Sequence, residues 1–235
     1  MNTIVTYIEH SCFLVETTEC YLLFDYYGGE VPLPALDPAK PLLLFNSHAH
    51  HDHFSRKIFA LRDRYPLAVF VLSADIPVPT AVQPLACPML PHEHRLLQLA
   101  GGRGTVSIDT LRSNDEGVAF IIQLGDLCIY HAGDLNNWWW DGDVEDQKLA
   151  DIYHEELEHI RGQHFTLAFI PLDPRLKGWW KGIEDFMHYA DADAIFPMHN
   201  FGEKGLPRKF LTLDCAAGYK NRVFDVEEPL TRWEL

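Results

Sequence analysis

Cysteine is scarce and shows no pairing pattern. Cys12, Cys20, Cys87, Cys128 and Cys215 are odd in number and form no C-x-x-C, which excludes a disulfide framework and a zinc ribbon and fits a reducing cytoplasm. Basic residues are few: 19 lysines and arginines stand against 34 aspartates and glutamates, a formal charge of −15. They never come more than two together, as in Arg56-Lys57. Gripping a phosphate backbone takes clustered cations, so nucleic acid is excluded as a partner and the acidic excess is read as solvated surface. No run of about 18 apolar residues occurs, and the opening Met1–Glu9 has neither a basic n-region nor a long apolar stretch, so no membrane span and no export are expected. Gly28-Gly29 and Gly101-Gly102 match neither G-x-G-x-x-G nor a Walker spacing, which leaves nucleotide cradling without support. There is no internal repeat and no low-complexity tract.

What remains is an ordinary globular composition, 47% hydrophobic and 23% charged over 235 residues, enough for one domain spanning residues 1–235. Short runs rich in β-branched, aromatic and leucine residues predict strands at Thr3–Ile8, Cys12–Val15, Tyr21–Phe24, Leu42–Phe45 and Ala68–Leu72. A helix is expected over Ser55–Arg64, with Ser55 as N-cap. The stretch Pro77–Gly104 is rich in proline and glycine and reads as an irregular loop. Strands resume at Thr105–Leu111, Val118–Gln123 and Leu127–His131. A helix follows over Glu145–Arg161, where Leu149, Ile152, Tyr153, Leu157 and Ile160 form a stripe at helical spacing. Then come a strand at Leu167–Leu172, a helix at Ile183–Ala190, a strand at Ala194–Met198 and a last helix at Lys209–Tyr219. Strands at hairpin spacing followed by strands alternating with helices, in two successive halves, give an α/β layered architecture of two mixed sheets with helices outside.

The chemistry is concentrated in His48-Ala49-His50-His51-Asp52-His53, directly after the short apolar segment Pro41–Ser47. Two histidines at i and i+2, followed by Asp52 and His53, can converge from a strand-end turn on one or two cations, with His51 pointing away. Imidazole and carboxylate donors with no thiolate nearby suit zinc, manganese or iron in an open site. Two further ligand types stand at predicted strand ends, Asp134 after Gly133 and His199 after Met198.

Together, His48-x-His50-x-Asp52-His53, Gly133-Asp134 and the strand-end His199 resemble the metallo-β-lactamase superfamily, over nearly the whole chain. Glu9-His10-Ser11-Cys12-Phe13, Phe24-Asp25 and Tyr130-His131-Ala132-Gly133-Asp134 resemble the branch that contains ascorbate-6-phosphate lactonase. The resemblance implies a four-layer αβ/βα sandwich with a dinuclear centre in a cleft along one edge of the sheets. It implies His48 and His50 on a first metal, Asp52, His53 and His199 on a second, and Asp134 as the bridge. The family's third first-site histidine is missing. Where it is expected, the chain reads Arg112-Ser113-Asn114-Asp115-Glu116-Gly117, so Ser113 stands first as a replacement, with Asp115 and Glu116 as other oxygen donors. His10 is expected to face the cleft, toward substrate or the first metal.

Other motifs carry less. His92 and His94 share the i, i+2 spacing but lie in the irregular segment, and His131 reads as support or core. His154 and His159 bear a superficial likeness to H-E-x-x-H, yet five residues place them about 140° apart on a helix, so a protease is not expected. Five of the six tryptophans, Trp138–Trp140 and Trp179-Trp180, follow strand ends. Three in a row cannot all face inward, so at least one is expected at the cleft mouth or an oligomer interface. Arg175 and Lys177 are the nearest cations for a substrate anion.

The expected function is hydrolysis of a small, anionic lactone, ester or phosphodiester by a metal-activated water, with Asp52, Asp134 and His10 as catalytic residues and one or two divalent metals per chain, zinc ahead of manganese or iron. The partner is a small-molecule substrate, with a homo-oligomer left open. The alternative is a degenerate member holding one metal or none, acting as a sensor or binding partner, motivated by the missing histidine.

Overall fold

A computed structural model describes residues 3–235; Met1 and Asn2, with which the reading of an unexported start begins, lie outside the described residues. The chain runs through β1 (Ile4–Glu9), β2 (Cys12–Glu16), β3 (Tyr21–Phe24), β4 (Leu42–Asn46), a 3₁₀ segment (Arg56–Ala60) continued by α1 (Leu61–Arg64), β5 (Ala68–Ser73), β6 (Ala86–Met89), β7 (His94–Gln98), β8 (Thr105–Arg112), β9 (Val118–Leu124), β10 (Leu127–His131), α2 (Val144–Glu158), β11 (His164–Pro171), α3 (Lys181–Tyr189), β12 (Asp191–Met198), α4 (Leu206–Phe210) and β13 (Arg232–Glu234). Seven strands form one sheet in the order β13-β1-β2-β3-β4-β5-β6, and six form the other in the order β12-β11-β10-β9-β8-β7. Both sheets are mixed, as expected for this α/β sandwich. The first pairs antiparallel from β1 to β3 and parallel from β3 to β6; the second is antiparallel from β7 to β10 and parallel from β10 to β12.

Alternation along the strands sorts side chains into layers. In β4, Leu43 and Phe45 join the main core between the sheets, while Leu42 and Leu44 join the smaller core on the outer face with Ile58, Phe59 and Tyr65. Phe13 meets Phe169 across the sheets at 4.7 Å between ring centres, and Phe45 meets Phe120 at 5.3 Å. Each such buried ring contributes about 1.5–3 kcal/mol of transfer free energy, so apolar packing between the sheets supplies much of what holds the sandwich. Tyr153 and Leu157 of α2, with Ile183 and Phe186 of α3, extend the main core on the outer face of the six-stranded sheet. Asp143 starts α2 by accepting hydrogen bonds from the Glu145 and Asp146 amides.

Three expectations need correction. The segment Pro77–Gly104 holds two edge strands, β6 and β7. The helix expected at Lys209–Tyr219 is the short α4 followed by isolated 3₁₀ turns at Asp214–Ala216 and Lys220–Arg222. The helix expected at Ser55–Arg64 is mostly 3₁₀, with Ser55 accepting from the Lys57 amide as its cap.

Strand direction positions the site. Following the pairing, β1, β3, β4, β8, β10, β11 and β12 end on one side of the sandwich. His10, Asp25, His48–His53, Asp115, Asp134, Asp173 and His199 each come just after one of those ends.

Candidate metal centre

Asp134 is the hub. Its carboxylate is buried, and three imidazole Nε2 atoms close on it: His53 at 3.2 Å and His199 at 3.5 Å from Oδ1, and His48 at 3.5 Å from Oδ2. Each ring is held from behind through Nδ1. His53 donates to Asp25 Oδ2 at 2.7 Å, His199 to Asp173 Oδ2 at 3.2 Å, and His48 to Ser47 Oγ at 2.9 Å. The Ser47 hydroxyl in turn donates to Asp25 Oδ2 at 2.8 Å. A ring whose Nδ1–H is committed presents its Nε2 lone pair inward, the tautomer a metal ligand needs.

The remaining residues complete two flanks. His10, Asp52, His53 and His199 bring ligand atoms within 4.8 Å of one another, and so do His48, His53 and Asp134, and His50, Asp115 and Asp134. All six residues expected as ligands, His48, His50, Asp52, His53, Asp134 and His199, therefore gather at one place. His10 Nε2 lies 3.5 Å from Asp52 Oδ2, on the side of His53 and His199 and not beside His48 and His50. His51 points outward.

At the position of the missing histidine the geometry favours Asp115 over Ser113. The Ser113 Oγ is occupied in accepting from the Asp115 amide at 3.1 Å, whereas the Asp115 carboxylate reaches toward His50 and Asp134. Asn114 holds this loop by donating to the carbonyls of Asn136 and Leu149, both at 2.8 Å, and accepting from the Asn136 amide. Gly117, at φ +72°, closes the loop against the histidine strand: a Cβ there would lie 2.0 Å from the Ser47 carbonyl oxygen. Glu116 is exposed and lies against the outer side of His50, at 3.4 Å. His92 and His94 lie elsewhere.

Does the set fit a cation? His10 Nε2, His53 Nε2 and Asp134 Oδ1 are buried without a hydrogen-bond partner. An orphan of this kind costs about 1–3 kcal/mol, and a cation that takes lone pairs from His53 Nε2 and Asp134 Oδ1, 3.2 Å apart, would satisfy both at once. Nitrogen and oxygen donors without thiolate fit a divalent metal of the zinc, manganese or iron type. The backbone is also strained here, with His10, Asp25, His199 and Phe201 all at positive φ.

The charges are tightly coupled. Burial lowers the His53 pKa, but the Asp134 and Asp25 carboxylates outweigh it and carry it up to about 9. Burial and the neighbouring His53 hold His48 down to about 4. Burial favours the neutral form of Asp134, yet His53, His199 and His48 keep it below the usual carboxylate range. The His10 imidazole, 3.5 Å from its carboxylate, does the same for Asp52, while burial keeps His10 itself below its ordinary value. At neutral pH the metal-free site thus carries a proton on His53 that a cation must displace. Zinc titrated calorimetrically at pH 7 in buffers of different protonation enthalpy is expected to release about one proton, with affinity rising as pH approaches 9. Heats independent of the buffer would sink this assignment. In the metal-free protein the sign is opposite: the raised pKa favours the fold below about pH 6.5, and that gain is lost as pH rises through about 9.

Above the hub opens a cleft of about 410 Å³ lined by His50, Asp52, Asp115, Trp138, Trp140 and Arg175, among others. Trp138 is buried and donates its indole N–H to the Asp134 carbonyl at 3.0 Å, and Trp140 stacks on it at the mouth. Trp139 turns away to Lys181. Arg175 grips the buried Asp173 carboxylate through Nε and Nη2 and lies over the Phe201 ring at 3.9 Å. Lys177 pairs with Asp141 in solvent, outside the cleft. Two buried supports carry no signal of their own in the sequence. Asp25 stands there only as part of a resembling motif, and Asp173 only as a neighbour of Arg175; their shared mark is an aspartate just past a strand end, as for Asp134.

A two-sheet sandwich with a histidine and aspartate cage where the strand ends meet is the architecture of a metallo-hydrolase fold. Residues 4–153 match the family model for the beta-lactamase superfamily domain. A UPF0173 metal-dependent hydrolase of Salinibacter ruber is 29% identical, covering 95% of this chain and 97% of the relative. Another, of Desulforamulus reducens, is 31% identical over 70% of this chain and 74% of its own length. The structure of a metallo hydrolase from Ignicoccus hospitalis superposes with a TM-score of 0.64 at 17% identity, covering 100% of this chain and 99% of that one. The chain belongs to the metallo-β-lactamase superfamily.

Proposed function

We propose that this metal-dependent hydrolase cleaves a small anionic lactone, ester or phosphodiester at a dinuclear centre. In this reading His48, His50 and Asp115 would hold one cation and Asp52, His53 and His199 the other, with Asp134 shared between the two groups. Zinc is proposed first, and the cytoplasm as compartment. The observation that carries the reading is the convergence of three imidazole Nε2 atoms on the buried Asp134 carboxylate, each ring fixed from behind through Nδ1. The hydrolase class itself rests on the family, and on relatives that carry the name metal-dependent hydrolase.

Bound cations of this type supply an acidified water and a Lewis acid for the leaving oxygen. The chain's residues do the rest. Asp52, kept ionised by His10, is placed to accept the proton of the attacking water. His10, buried and neutral, holds that carboxylate in position. Trp138 and Trp140 wall the cleft and limit access of bulk water. Its volume suits a small molecule.

Arg175 favours a substrate that carries negative charge. Asp173 occupies Nε and Nη2, and Nη1 has no protein acceptor among the described residues, leaving a charged donor at the cleft for a carboxylate or phosphate. With zinc- or manganese-loaded protein, chelator-sensitive turnover is expected for anionic lactones or phosphodiesters ahead of neutral analogues. Arg175→Ala is expected to raise KM for the anionic substrates about tenfold or more beyond any loss that neutral ones suffer through Asp173 and His199. Equal effects on both would remove Arg175 as the anion reader; no turnover of any class with either cation would refute the proposed chemistry.

A further inference from the structure

Beyond the cleft, β7, β8 and the end of α2 enclose a second cavity of about 270 Å³, lined by His92, His94, Asp109 and His159 among others. No residue lines both cavities. We propose that His92, Glu156 and His159 form a separate site for a divalent cation of the zinc class.

The argument starts from α2. His154 and His159 do not share a helix face, but Glu156 and His159, three residues apart at its C-terminal end, do. Their ligand atoms and that of His92 lie within 4.8 Å of one another. His92 Nε2 stands 2.9 Å from Glu156 Oε2, near the separation of about 3.3 Å between two ligands of one tetrahedral zinc. The His92 and His159 ring centres are 4.9 Å apart. His92 is set there by its amide donating to the Thr110 carbonyl at 3.0 Å.

Glu156 is the decisive group. Its side chain is only 7% exposed, yet among the described residues no lysine or arginine pairs with it. Its carboxylate is met by His92 and by the Arg112 amide, which donates to Oε2 at 3.0 Å. A buried carboxylate facing one neutral amide and one imidazole retains negative potential that a cation relieves. The His159 ring has no hydrogen bond to any described residue, so its ligand atoms are free. Two imidazoles and one carboxylate, with the cavity supplying room for solvent, make a three-ligand site with an open position. The Arg112 amide lies three residues before Asp115, so a cation here would clamp the end of β8.

The test compares zinc content and zinc affinity of the full chain, wild type beside His92→Ala and His159→Ala, both altered at accessible side chains. Each variant is expected to lose one ion relative to wild type, or to bind that ion more weakly by more than about tenfold. Asp134→Ala is expected to keep it. In wild type, the His92 and His159 imidazole resonances are expected to shift as that ion binds. Retention of the ion at wild-type affinity by either variant, or imidazole resonances unmoved at saturating zinc, would show that the His92–Glu156 contact only anchors a turn, and the proposal would fall.

Discussion

Asp134→Ala protein, purified without a tag or chelator, is expected to retain few of the cations at the cleft, against about two in wild type, and to lose at least about 10³-fold in turnover. The size follows from the hub geometry. Three Nε2 atoms face this one carboxylate within 3.5 Å, so its removal leaves those imidazoles packed together without the charge they share. Elemental analysis beside wild type checks it. An unchanged content of about two would mean that Asp134 bridges nothing, and about one cation in both proteins would mean a mononuclear centre.

Asp25→Ala is expected to act without touching either substrate or metal. Asp25 accepts from His53 Nδ1, from the Ser47 hydroxyl and, at 2.8 Å, from the Ser47 amide. Burial opposes its charge, but His53 and His131 hold its pKa at about 2. Losing it frees the His53 ring to rotate and leaves three donors unpaired. Metal affinity is expected to fall 10–100-fold, on the order typical for an outer hydrogen-bond partner. The metal-free fold is expected to lose about 3–5 kcal/mol, the range for breaking a buried charge pair. Chelator competition and urea unfolding measure the two effects separately. Wild-type affinity in the variant would mean that Asp25 serves the fold alone.

Most of the sandwich could be read from the sequence because its strands are buried on both faces and spell out runs such as Leu42–Phe45. The edges could not. In β6, Ala86-Cys87-Pro88-Met89 carries a proline that an edge strand tolerates, and β7, His94–Gln98, is polar and exposed, so neither shows an apolar signature. Past Phe210 the chain keeps helical composition but breaks into turns. At the site, the H-x-H-x-D-H cluster announced itself through spacing alone. The choice of Asp115 over Ser113 did not, because it depends on Asn114 fastening the loop to two distant carbonyls and on Gly117 fitting against Ser47. Those contacts join residues far apart in the chain and leave no periodic trace.

The seven-stranded sheet supplies His10, Asp25 and His48 to His53, and the six-stranded sheet supplies Asp115, Asp134, Asp173 and His199. A metal ion held between them would therefore be a cross-link from one sheet to the other, with no equivalent in the unfolded chain. By mass action, such a cross-link adds about 2.7 kcal/mol at a free-ion level one hundred times Kd. The protein's resistance to heat and proteolysis then follows the supply of metal around it, and scarcity would thin its abundance as well as its activity.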